Sequence, residues 1–209
     1  SPQSRPRVLI VRPSALGDVS RPVTALVTLR RAMPDAQIDW LVTDTFADAV
    51  RHHPDLDNVV TFNRSRFAAT FYQPRVARDL IHWARDLRSR RYDIVIDLQG
   101  LARSGLLSWI TGAAQRIGFA NAREFAHLAY NRKHTIDPGL HTVDRMLSLL
   151  ESEGYATHLE MRLHVGDPDR QWRDRLLGDI PYICLAPTAR WRCKCWPIDR
   201  YIQLAQHLL

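Results

Sequence analysis

Long apolar runs are missing from this chain. No stretch of its 209 residues approaches the roughly 20 consecutive apolar positions that a membrane-spanning helix needs. Ser1 to Arg7 is polar and basic and lacks the apolar core of a secretory signal, so a cytosolic location is expected. Cysteine is scarce and late: Cys184, Cys193 and Cys195. Cys193 and Cys195 form one C-x-C with no second pair to complete a tetrahedral zinc site, so no metal is expected and the thiols are read as reduced. Lysine is scarcer still, at Lys133 and Lys194, so the net charge of +7 is almost entirely arginine. Arginine's planar fork grips phosphate and carboxylate. That surplus fits an anionic partner, or simply a genome that writes arginine for lysine. Neither a Walker A loop nor a G-x-G-x-x-G turn is present. With no nucleic-acid-binding motif beside the charge, nucleic acid is not expected as a partner.

What is present is a rhythm. With 45% hydrophobic content the chain can fill one core and part of a second. Short β-branched runs alternate with longer amphipathic stretches, which implies an α/β fold: a Rossmann-like parallel sheet with flanking helices. Strands are expected at Arg7–Arg12, Gln37–Val42, Asn58–Phe62 and Asp93–Leu98, with a shorter one at Arg116–Phe119. Helices are expected from Val19 to about Met33 and at Thr45–His52, Arg75–Arg90, Leu101–Thr111 and His141–Glu153, with a basic loop at Asn63–Pro74. After Gly154 the rhythm restarts: a strand or linker at Leu159–Val165, a helix at Asp167–Leu177, a strand at Tyr182–Ala186 and a helix from Pro197. Residues 7–164 therefore read as one domain. Residues 165–209 read as a linker and the first strand–loop–helix of a second, whose remainder is expected beyond Leu209.

Four stretches carry polar groups at strand ends. In the turn Pro13 to Asp18, Gly17 permits close backbone approach. Asp18 is either a helix cap or a general base at the mouth of a cleft. Gln99 and Arg103 follow the strand DIVIDL and would share a sheet edge with Asp18 if the strands are parallel. The alternative there is an ordinary turn with a solvated arginine. Arg123, near Tyr130, Arg132 and Lys133, is either part of a phosphate grip or of a solvated charge run. The last stretch, Ala186 to Pro197, holds Thr188, Ala189, Arg190 and Lys194. Lys194 stands just before a helix with proline in its first turn, where it would neutralise a phosphate.

The order of these stretches is more telling than any one of them. RVLIVRPSALGDVSRPVTAL resembles the opening of the family 9 heptosyltransferases, with their S-x-L-G-D-V turn. VIDLQGLARSGLLSWI resembles that family's D-x-Q-G-L-x-[KR]-S segment, and AREFAHLAYNRKH is similar to a further stretch of its lipopolysaccharide members. LAPTARWRCKCWP resembles the interdomain P-G-[AS]-x-W-x-x-K-x-W-P stretch. The resemblance implies the first half of a GT-B fold and an inverting, metal-independent transfer of heptose from a nucleotide-diphosphate sugar, ADP-heptose. The implied acceptor is an anionic, phosphorylated glycolipid of the lipopolysaccharide inner core, met at the cytosolic membrane face. No cofactor is implied beyond the donor.

By the same resemblance Asp18 is the general base and Lys194 stabilises the departing diphosphate. Arg64, Arg66, Gln99, Arg103 and Arg123 hold the acceptor, and Gly17, Thr188, Ala189 and Arg190 lie toward the donor. Three positions depart from the family pattern: Arg21 replaces a frequent His, Thr188 a usual Gly, and Arg190 a small Ser or Thr. By that resemblance most of the donor domain is expected beyond these 209 residues, so the chain alone is expected to be inactive. The alternatives are a family 9 transferase with another sugar or acceptor, or a Rossmann-like nucleotide-binding module.

Overall fold

The computed structural model describes residues 5–13, 20–67, 73–189 and 191–208. Gly17, Asp18 and Arg190 lie outside them. The chain divides into two compact units, Ser1–Val165 and Gly166–Leu209.

The first unit is built on six strands: β1 (Arg7–Val11), β2 (Gln37–Thr43), β3 (Asn58–Phe62), β4 (Ile94–Asp97), β5 (Gln115–Phe119) and β6 (Arg132–His134). All neighbours pair in parallel, in the order β3-β2-β1-β4-β5-β6. This is the doubly wound order, and it reverses between β1 and β4. Helices that follow strands in such a sheet start at the strands' carboxyl edge, and ligands bind there, at the reversal.

The pleat sends alternate residues to opposite faces. Val8 and Ile10 face one core with Leu26 and Leu29 of α1 (Val23–Ala32) and Met146 and Leu149 of helix Thr142–Ser152. Leu9 and Val11 face the other with Leu87 of helix Pro74–Ser89 and Leu107 of helix Ala102–Ile110. Numbering the described α-helices along the chain, α2 is Asp48–Arg51, α3 Arg64–Phe67, α4 Pro74–Ser89, α5 Ala102–Ile110 and α6 Thr142–Ser152. Each fully buried aliphatic side chain contributes roughly 1.5–3 kcal/mol relative to exposure.

Two elements differ from expectation here. The stretch Arg132-Lys133-His134, read from the sequence as part of a phosphate grip or of a solvated charge run, is an edge strand. Its charge suits an edge exposed to water, and Arg132 and His134 both pair with Glu153, whose side chain is 3% exposed. Within the expected loop Asn63–Pro74, residues 64–67 form the short α3, where the Asn63 side chain accepts the Arg66 amide proton at 2.7 Å.

The second unit holds α7 (Asp167–Leu177) and α8 (Ile198–Leu208), joined through a 3₁₀ turn at Arg192–Lys194. The expected strand at Tyr182–Ala186 is not formed. The segment runs without ladder hydrogen bonds, because no described neighbour in this unit offers a strand to pair with. Leu159–Val165 likewise forms no strand and serves as a linker, its start tied to α1 where the His158 amide donates to Thr28 Oγ1 at 3.0 Å.

Candidate functional site

At the carboxyl ends of β1, β4 and β5 lies a cavity of about 210 Å³ lined by Arg12, Leu98, Gln99, Leu101, Phe119, Arg123, Thr142, Arg145 and Met146. It sits where the strand order reverses. A larger hollow of about 580 Å³, bordered by Arg85, Arg88, Tyr92, Asp93 and Gly112, lies at the opposite, amino edge, away from the position where parallel sheets bind ligands.

The smaller cavity brings three guanidinium groups together, with no carboxylate among the described residues that line it. Arg12 ends the apolar first strand, is 8% exposed, and donates from Nη1 to the Leu98 carbonyl. Arg145, on the first turns of α6, lies 5.1 Å from the centre of the Phe119 ring, a cation–π contact that fixes its plane. Its Nε is shielded from water and has no hydrogen-bond partner among the described residues. Gln99 Oε1 is shielded and unpartnered in the same way. An anion with a neighbouring hydroxyl would satisfy both groups, since the arginines donate and Gln99 Oε1 accepts.

The turn that delivers Gln99 is built on a buried carboxylate. Asp97 is 0% exposed; its Oδ1 accepts the amide protons of Gln99 at 2.8 Å and Gly100 at 3.0 Å, and its Oδ2 the Tyr130 hydroxyl at 2.6 Å. Burial pushes the Asp97 carboxyl above the ordinary carboxylate range, against the pull of these hydrogen bonds. Burial and the adjacent Asp97 likewise push the Tyr130 phenol upward. Gly100 adopts φ +69°, a left-handed turn in which glycine is unstrained, and its carbonyl accepts the Arg123 amide at 3.0 Å.

Of the residues expected from the sequence, Gln99 and Arg123 meet in this cavity. Arg103, in the first turn of α5, is exposed and outside its lining. Arg64 and Arg66 follow β3 at the same sheet edge. Arg66 is paired with Asp79 at 2.5 Å, which leaves its charge partly spent. In the second unit Thr188, Ala189 and Lys194 are all exposed. The Ala189 amide donates to Cys195 Sγ at 3.3 Å, a contact that closes the loop. Among the described residues no three His, Cys, Asp or Glu side chains gather as metal ligands. Sequence reasoning missed Arg12 and Arg145. A charged residue ending an otherwise apolar central strand was the available signal for Arg12. For Arg145 the signal was its place one turn into a helix that starts at the carboxyl edge.

A doubly wound parallel sheet with a cationic cavity at its reversal defines a Rossmann-like α/β domain with a candidate anion site. The particular family follows from comparison. Residues 80–209 match the model of glycosyltransferase family 9 (heptosyltransferase), and the chain belongs to that family. It is 31% identical over 209 residues to lipopolysaccharide heptosyltransferase 1 of Pseudomonas aeruginosa, covering 97% of this chain and 58% of that protein. It is 35% identical over 153 residues to the Salmonella typhimurium protein of the same name, covering 71% of this chain and 48% of that one. The solved E. coli heptosyltransferase WaaC with ADP-2-deoxy-2-fluoro heptose superposes with a TM-score of 0.79 at 28% identity, covering 97% of this chain and 65% of that chain. The expected fold, the first half of a GT-B architecture, thus stands. The chain spans about half to two thirds of the length of these relatives.

Proposed function

We propose that the protein to which this chain belongs transfers heptose from ADP-heptose to an anionic inner-core acceptor of lipopolysaccharide, by inversion and without a metal. The observation that carries this reading is the cavity of Arg12, Arg123 and Arg145, with no carboxylate among its described lining residues, beside Gln99 Oε1, which has no partner among them. Such a cavity suits a phosphorylated or carboxylated saccharide better than a neutral one. Arg103 and Arg64, for which no ion pair is described, extend the positive field along the same edge, and Arg66 adds what its pairing with Asp79 leaves. Asp18 acts as the general base on the acceptor hydroxyl. Lys194 neutralises the leaving diphosphate, with Gly17, Thr188, Ala189 and Arg190 toward the donor.

Contact with the anionic cytosolic membrane face is part of the same proposal. It is supported by Arg75, Arg78, Arg85 and Arg88, exposed along α4 and without described partners, next to the 51% exposed Ile81. Among the described residues no helix is long and apolar enough to cross a membrane. The departures at Thr188 and Arg190 favour, as a second reading, a family 9 transferase with a different sugar.

Two substitutions in the full-length enzyme test the reading. Asn caps a helix as well as Asp does but takes no proton, so Asp18→Asn should cut kcat by about 10²-fold or more while thermal stability holds. Near-normal turnover at saturating substrates would move the base elsewhere. Arg123→Ala should raise the acceptor KM roughly tenfold, and the wild-type KM should climb with salt, because charges at an exposed rim are screened over about 8 Å at physiological ionic strength. An acceptor KM indifferent to both would remove the arginines from the site.

A further inference from the structure

The two side chains that sequence and structure jointly place in the cavity, Gln99 and Arg123, come from different loops. Gln99 follows β4; Arg123 follows β5. One buried group is bonded into both segments. Asp97 holds the Gln99–Gly100 turn through two amides, and the Gly100 carbonyl in that turn receives the Arg123 amide. On its other oxygen Asp97 receives the hydroxyl of Tyr130, which closes the 3₁₀ turn Ala126–Ala129 that follows Arg123. The phenol ring lies so close over β5 that a Cβ on Gly118 would come within 2.4 Å of it, so only glycine admits the ring. On the other side of the loop, Ala126 presses against Gly105 of α5, where an added Cβ would meet it at 3.1 Å.

The molecule holds a second pair of the same chemistry. Asp39, 1% exposed, accepts the Tyr92 hydroxyl at 2.7 Å and the Asn58 side-chain amide at 2.9 Å. That pair joins β2 to the segment before β4, near the amino edge, away from the cavity. A buried carboxylate costs several kcal/mol in desolvation unless its hydrogen bonds offset it. Either pair would serve fold stability equally. Only Asp97 with Tyr130 also touches the two loops that carry site residues.

We propose that Asp97 and Tyr130 are positioning residues: they fix the separation of Gln99 and Arg123 and so set the shape of the anion site. This rests on the reading of the cavity as an anion site, and two readouts separate the two ideas. The first uses inorganic phosphate titrated into the 209-residue chain and followed by amide chemical shifts. Tyr130→Phe removes one hydroxyl and should weaken phosphate binding about 3- to 10-fold. Tyr92→Phe removes the equivalent hydroxyl from the other pair and should leave it within 2-fold, at a similar loss of stability. Equal effects of the two substitutions on phosphate, or none from Tyr130→Phe, overturn the proposal. The second readout is hydrogen exchange at the Gln99, Gly100 and Arg123 amides. It should quicken about tenfold or more in Tyr130→Phe and stay unchanged in Tyr92→Phe. Should phosphate fail to bind at all, the anion reading falls, and this exchange pattern alone decides whether Asp97 and Tyr130 position the loops. Asp97→Asn keeps an acceptor for both turn amides and an amide that can donate to the Tyr130 oxygen, so it should retain most of the binding that Asp97→Ala loses.

Discussion

The two units of this chain have similar hydrophobic patterning and opposite outcomes. In the first, Leu9, Ile10, Leu26, Leu29, Ile38 and Trp40 are all 0% exposed. In the second, α7 and α8 bury no residue at all; Trp172, Leu176 and Ile198 are 61%, 63% and 60% exposed. An amphipathic helix is only half of a core. The first unit supplies six strands for its helices to cover, whereas residues 166–209 supply no strand among those described. Apolar pattern without a partner surface gives a helix with a wet face.

The largest effect expected from this contrast concerns the donor. If the second unit needs further α/β elements to become a nucleotide pocket, the 209-residue chain should bind ADP-heptose at least about 100-fold more weakly than the full-length protein. Calorimetry on both would show it. Micromolar affinity in the short chain would mean that the second unit is already a complete site, and the comparison would fail.

A smaller effect is expected from paired truncations. Leu26→Ala opens a cavity in a closed core and should cost about 2–5 kcal/mol in denaturant unfolding of the first unit. Leu176→Ala removes a side chain that is 63% exposed and should change stability by no more than about 0.5 kcal/mol. Similar costs at the two positions would show that Leu176 is covered in solution.

The same contrast explains what could be read in advance. β1 to β5 and the long helices were legible because each carries an apolar period that one buried face dictates. Tyr182–Ala186 has the composition of a strand, but composition cannot supply the neighbour that a strand requires. β6 failed in the opposite direction: Arg132-Lys133-His134 has no apolar pattern, and its pairing with β5 is purely a backbone matter. At the site, Gln99 and Arg123 were visible because they sit in turns, where polar residues invite a chemical explanation. Arg12 and Arg145 were not, because one ends a strand and the other lies on a helix. Only the folded sheet shows that both point at the same hollow. The buried role of Asp97 was equally hidden, since a strand-ending aspartate reads the same whether it faces water or a tyrosine.

The smallest effect expected belongs to the first unit alone and reports on how its linker is held. His53 is 4% exposed and its ring meets that of His164 edge-on at 4.7 Å. Its Nδ1 accepts the Asp55 amide proton at 3.2 Å, which assigns the neutral proton to Nε2, an atom shielded from water and without a partner among the described residues. Burial lowers its pKa below the ordinary histidine value of 6.5; Asp55 opposes this, His164 adds to it and Glu160 opposes it again. The folded state therefore resists a proton that the unfolded chain accepts. Stability is unaffected well above pH 6.5, falls as pH drops through 6.5, and stops falling once the folded-state pKa is passed. Following the His53 ring Cε1–H by NMR from pH 8 to 5 should give a midpoint below 6.5. His53→Gln should flatten part of the loss of stability between pH 7.5 and 5.5. A midpoint at or above 6.5 would mean that the carboxylates of Asp55 and Glu160 outweigh burial, and that the linker around His164 is held by an ion pair instead of by packing.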